Sequence, residues 1–204
     1  MVMTEMDQLQ MEKIADCEHE IFALLKQRYS PRTFALEKLR DMHLKQLFEA
    51  ARWSASSNNL QPWRFLYAHR GTAPYGKMLA CLSDFNQKWA KNAPMLMLTA
   101  YRTKDAKGRE NFHALHDLGQ AVAQMGVQAQ YMGIGMHQMA GVNWKKAQRV
   151  FEVPEAFHIA TAVAVGYYGG RLEDLPQELR ESETSTRERF PQADFAFKEA
   201  WREK

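Results

Sequence analysis

Cysteine is scarce in this chain. Its 204 residues contain two, Cys17 and Cys81, and neither belongs to a CxxC pair. Two thiols are too few for a disulfide framework or a four-cysteine zinc site, so both are expected to be reduced. The histidines show no HExxH or HxH spacing, and no metal site is expected. Long apolar runs are also missing. The longest, around Ala93–Tyr101 and Ile159–Tyr168, reach about half the length that spans a bilayer. The N-terminal stretch is polar and acidic and lacks the basic start and apolar core of a secretory signal. A cytoplasmic protein with no membrane partner is therefore expected. Charge imbalance is small, since 27 basic residues against 24 acidic ones leave +3. That excess does not require nucleic acid, and no nucleic-acid-binding motif accompanies it. A few arginines around an internal phosphate would account for it equally well.

What is present is the composition of a folded domain. Hydrophobic residues make up 46% and aromatics 11%, which argues against disorder. The length suits one α/β domain, with no internal repeat and no low-complexity linker. Ile14, Ile21, Leu24 and Leu25 have helical spacing and predict a helix ending near Arg28, broken by Ser30-Pro31. Leu39, Met42, Leu47, Phe48 and Ala51 predict a second. Ser54–Gln61 reads as a polar loop, Trp63–Ala68 as a strand, and Tyr75 to Phe85 as a third helix. Pro94–Tyr101 reads as a buried strand, being short, continuously apolar and opened by proline. A long helix is predicted from about Glu110 to Met132, ended by glycine. Trp144–Phe151 reads as a short helix and His158–Tyr168 as a second buried strand. Residues 172–204 are charged and contain Pro176 and Pro191. They are not expected to fill a core and are free to wrap a partner subunit. Helices with a few strands make the class α+β.

Four constellations carry possible chemistry. In Arg28-Tyr29-Ser30-Pro31-Arg32, two guanidiniums flank a hydroxyl, a set that can hold a phosphate through bidentate bonds. A helix C-terminus followed by a turn explains the same residues. Ser54–Trp63 packs serines, asparagines and a glutamine between helix and strand. It offers many donors and acceptors for the edge of a flat heterocycle, or the caps of a polar turn. Gly133–Gly141 holds three glycines that would let the backbone approach a ligand closely, or form a long loop between helices. It is not a GxGxxG after a strand, so a Rossmann site is not indicated. His137 within it suits a partly buried, hydrogen-bonded role better than that of a catalytic acid. Arg187-Glu188-Arg189 could reach back to a phosphate or form a solvated face.

The order and spacing of these blocks resemble the nitroreductase family. RYSPR is followed about 25 residues later by SASSNNLQPWRF, then by GIGMHQMAG, VPEAFHIATAVAVGYY and RER. The Arg-x-Ser-x-Arg and Ser-Ser-x-Asn-x-Gln-Pro-Trp blocks are the most specific. The resemblance implies a nitroreductase-like fold with a central, mostly antiparallel sheet flanked by helices, in an intertwined homodimer. It implies a single FMN-binding domain over residues 1–204, with 172–204 as a C-terminal extension. Arg28 and Ser30 would hold the phosphate and ribityl chain, with Tyr29 also at the cofactor and Arg187 and Arg189 closing on the phosphate. Arg32 would lie near the pyrimidine edge as an electrostatic stabiliser of reduced flavin. Ser56, Ser57 and Asn59 would come from the other subunit. Gln138, Met139, Ala140 and Gly141 would face the ring, and Asn86 would touch the pyrimidine. Ala55 stands where the family usually has proline, and Trp89 where some members have lysine.

The implied activity is FMN-dependent oxidoreduction in a ping-pong cycle. NADH or NADPH would donate hydride to the flavin N5, and a nitroaromatic, quinone or similar small conjugated acceptor would take it. The alternatives are another flavin reaction on the same scaffold (reductive dehalogenation, flavin cleavage, ring desaturation) or flavin binding without turnover. A lid over the flavin is expected in Lys104–Phe112 or in the C-terminal extension.

Overall fold

A computed structural model describes residues 5–201. Residues 1–4 and 202–204, included in the single-domain expectation, lie outside the described residues. Four strands form one antiparallel sheet: β1 (Trp63–His69), β2 (Met95–Arg102), β3 (Ile134–Met139) and β4 (Phe157–Tyr167), in the order β1-β2-β4-β3. The antiparallel sheet flanked by helices is the architecture that the resemblance implied. Strand side chains alternate between two faces, and in β2 both faces are apolar. Met95 and Met97 enter one hydrophobic cluster while Leu96 and Leu98 enter another. A strand apolar on both sides can only be central, and β2 lies between β1 and β4.

Helices supply the two covers. In chain order they are α1 (Glu5–Glu12), α2 (Ala23–Gln27), α3 (Asp41–Arg52), α4 (Ala73–Leu79), α5 (Asp84–Ala90), α6 (Ala114–Tyr131), α7 (Trp144–Val150) and α8 (Gln177–Thr184). Leu44, Leu47 and Ala51 of α3 pack with Leu118, Val122 and Met125 of α6 over one face. Tyr75 and Met78 of α4, Trp89 of α5, Ala147 of α7 and Leu179 of α8 cover the other. Among the described residues no helix is long and apolar enough to cross a membrane.

Four expectations are corrected. The helix predicted from Ile14 to Arg28 is only α2, because Ile14 and Ile21 are exposed and no apolar stripe holds a longer one. The third helix is two, split where the Ser83 hydroxyl accepts the Asn86 N–H and caps α5. Much of the glycine-rich stretch, expected as a ligand-approaching backbone or a loop between helices, is β3, paired with β4 from Ile134↔Tyr167 to Met139↔Ala162. The polar C-terminal segment does reach the core, through Leu175 and Leu179.

Candidate functional site

Where α2 ends, Arg28 turns extended and the chain runs through Tyr29, Ser30, Pro31 and Arg32 across the face of β3. The turn seats because β3 offers no side chain at Gly135, beneath Pro31. A Cβ on Gly135 would lie 2.4 Å from Pro31 Cγ, so this glycine serves contact with the protein itself. Next along the strand, His137 Nδ1 donates to the Pro31 carbonyl at 3.0 Å, and its ring lies 4.4 Å from that of Trp89. Burial pushes His137 down to about 4; the Arg32 charge adds to this and the Pro31 and Ser30 carbonyls oppose it. The ring is therefore neutral at neutral pH, with its Nδ1 proton committed to the turn. Tyr29 is buried and its ring stacks 5.1 Å from that of Tyr168.

The turn meets the C-terminal segment in a cavity of about 180 Å³. Arg28, Tyr29, Ser30 and Arg32 line it from one side, and Arg187 and Arg189 from the other. Residues more than 150 positions apart are thus brought together. Lys13 adds a fifth cation, and Glu183 is the one carboxylate in the lining. Arg187 NH1 donates to the Lys13 and Lys26 carbonyls, both at 2.8 Å, which ties the segment down. Burial lowers the pKa of Arg187, and the Arg28 and Arg189 charges lower it further. Lys13 is lowered by burial, with Glu183 opposing. Crowded, partly desolvated cations of this kind favour an anion. Arg32, expected at the pyrimidine edge, has its guanidinium paired with Glu183 at 3.2 Å in this same cavity.

The other expected contacts are not among the residues that line this cavity. Ser57–Asn59 forms a single 3-10 turn, and Asn58, Asn59 and Gln61 have φ of 49°, 54° and 46°. Asparagine tolerates this left-handed region better than glutamine does. The loop is fixed from inside. Ser56 Oγ accepts the Gln61 N–H at 3.1 Å, and Gln61 Nε2 donates to Asn59 Oδ1 at 3.0 Å. From below, the buried Asp117 of α6 accepts the Ser57 N–H at 3.1 Å. This loop opens on a separate cavity beside Arg109–His113 that shares no lining residue with the arginine cavity.

Asn86 and Gly141 are brought together. Asn86 Nδ2 donates to the Gly141 carbonyl at 3.2 Å, and a Cβ on Gly141 would lie 2.6 Å from that nitrogen. Of the neighbouring positions, Gln138 and Ala140 are exposed while Met139 packs into the core. Met139 can face a ligand through its backbone only.

Glu183 and Asp117 are buried acids that no sequence motif marks. Glu183 follows Leu175 and Leu179 at four-residue spacing, and Asp117 lies between Ala114 and Ala121 on the apolar stripe of α6. An acid on a buried stripe is the signal that would have found both.

The nitroreductase family profile matches residues 25–75 and 76–167. Among solved structures, one described as an oxidoreductase containing FMN is 31% identical, with a TM-score of 0.86 over 93% of this chain and 96% of its own. A structure from Desulfovibrio desulfuricans, solved in complex with FMN, is 21% identical, with a TM-score of 0.69 over 88% of this chain and 96% of its own. A nitroreductase family protein from Clostridium difficile 630 is 18% identical, with a TM-score of 0.67 over 87% and 97%. The last two are alike in fold. No curated protein matches the chain.

Proposed function

The chain belongs to the nitroreductase family, and from that premise we propose that it is an FMN-dependent oxidoreductase acting as a homodimer. The observation that carries the reading is the cavity where residues 28–32 meet residues 187–189. Its donors fit a phosphomonoester. Arg32 Nε is buried with no hydrogen-bond partner among the described residues. Five cations face one carboxylate there. Guanidiniums give bidentate, charge-assisted bonds to phosphate oxygens.

In this reading Arg28 and Ser30 hold the phosphate and ribityl chain. Arg187 and Arg189 close from the C-terminal side, and Arg32 adds its charge from the same cavity. Tyr29, wedged against Tyr168, gives the turn a rigid base. Ser56, Ser57 and Asn59 serve the cofactor of the neighbouring subunit, since their loop opens elsewhere on its own protomer. Asn86, Gln138 and the backbone of 139–141 are assigned to the flavin ring. The chemistry supplied by bound FMN is hydride transfer from NADH or NADPH to a nitroaromatic, quinone or related acceptor, in alternating half-reactions. The protein contributes position and charge.

The test is spectroscopic. Purified protein should be yellow, absorbing near about 450 nm, a property set by the cofactor. NADH or NADPH should bleach it without oxygen, and a nitroaromatic or quinone should restore the colour. Protein that fails to bind FMN sinks the cofactor assignment. A loaded protein that neither nucleotide bleaches sinks the oxidoreductase.

A further inference from the structure

Glu183 has a place in the arginine cavity that the proposed function leaves unexplained. Its side chain is only 2% exposed, and that of Lys13 beside it is nearly as buried. One Glu183 oxygen accepts the Arg32 backbone N–H at 2.9 Å, and the other accepts Arg32 NH1 at 3.2 Å. Lys13 Nζ donates to the Ser185 carbonyl, just past the end of α8. A buried carboxylate is costly unless paired, and a leucine here would have extended the stripe begun by Leu175 and Leu179. We infer that Glu183 is a positioning residue: it latches α8 to the Arg28–Arg32 turn, and so holds Arg187 and Arg189 over the cavity before any phosphate arrives.

Three observations support the latch. Glu183 sits four residues before Arg187, close enough that fixing one directs the other. Its bond to the Arg32 backbone fixes the path of the turn itself as well as the orientation of a side chain. Without it, the guanidiniums of Arg28, Arg32, Arg187 and Arg189 would face one another with no counter-charge in the lining.

The inference rests on the reading that the cavity takes the phosphate of FMN, and its test separates the two. Glu183→Ala and the isosteric Glu183→Gln are made in the full chain. In flavin-free protein, amide exchange at residues 30, 32 and 33 and at 185–189 should quicken roughly tenfold or more in Glu183→Ala. It should quicken less in Glu183→Gln, whose amide oxygen still accepts the Arg32 N–H. In binding, the preference for FMN over riboflavin should fall roughly tenfold in Glu183→Ala, with riboflavin affinity kept and partial recovery in Glu183→Gln. Equal loss of both flavins, or an unchanged preference with unchanged exchange, overturns the latch. So does a raised FMN preference, which would make Glu183 a plain counter-charge. If Glu183→Ala fails to fold, Glu183→Gln decides alone: wild-type preference together with wild-type exchange overturns the latch. Wild-type protein that binds FMN no better than riboflavin overturns the phosphate reading instead, and the exchange arm still judges the latch.

Discussion

At the foot of the Arg28–Arg32 turn, His137 pairs a committed Nδ1–H with a ring packed on Trp89. This environment has a consequence for stability. The unfolded chain binds a proton at His137 near pH 6.5, whereas the folded chain does so only near about 4. Between those values the unfolded state holds more protons, so stability rises with pH across the window. The contribution is complete above about 6.5 and is lost as pH falls toward 4, by roughly 3 kcal/mol at the acid end. Glu183 works in the opposite sense. Burial raises its pKa, with Arg32 opposing, so its share of stability is present at low pH and is lost as pH rises through the folded value. His137→Gln can keep a donor for the Pro31 carbonyl while removing the titration. Urea unfolding should find the variant less stable than wild type at pH 7, with the gap closing or reversing by pH 4.5. Parallel stability curves for the two proteins would show that His137 does not titrate in this window.

Local signals decided which elements could be read. The Arg-x-Ser-x-Arg turn was legible because its residues are adjacent and its charges have few uses. β3 was not legible, because Gly133, Gly135 and Gly141 argue against a strand. Pairing with β4 and the approach of Pro31 to Gly135 override that local preference. α8 was missed for another reason. Its composition is polar and Leu179 is its one apolar side chain, yet Leu179 follows Leu175 at helical spacing, and that pair is enough to seat the segment on the core. Glu183 was hidden by the same averaging, since one acid among several reads as surface. The burial of α8 makes a measurable claim. Leu179→Ala should cost about 2–5 kcal/mol, the range for truncating a core leucine. Leu36→Ala, at a side chain left in solvent, should stay within about 0.5 kcal/mol of wild type. Denaturant titration compares them directly. Equal, small effects would mean that α8 lies loosely on the sheet in solution, and the latch would lose its anchor with it.

At the scale of the whole molecule, the residues of the proposed site line two separate cavities. The arginine cavity and the Ser57 loop share no lining residue on one protomer, so a complete pocket needs a second copy if both serve one flavin. The segment after Arg189 adds to this need. Phe190 and Trp201 are about four-fifths exposed, and Phe195 is exposed as well. Three exposed large aromatics within a dozen residues give this segment apolar surface that a partner could cover. If they dock on a partner, they also carry Arg187 and Arg189 into register, because the same segment bears both. Dimer and cofactor should then be lost together. On serial dilution, the rise in free-flavin fluorescence should track dissociation measured by sedimentation, with midpoints agreeing within roughly threefold. A Phe190→Ser, Phe195→Ser, Trp201→Ser variant should shift both midpoints upward in concentration by the same factor. A monomer that keeps FMN as tightly as the dimer would mean that the Ser57 loop serves no flavin, and that the arginine cavity is sufficient within one chain.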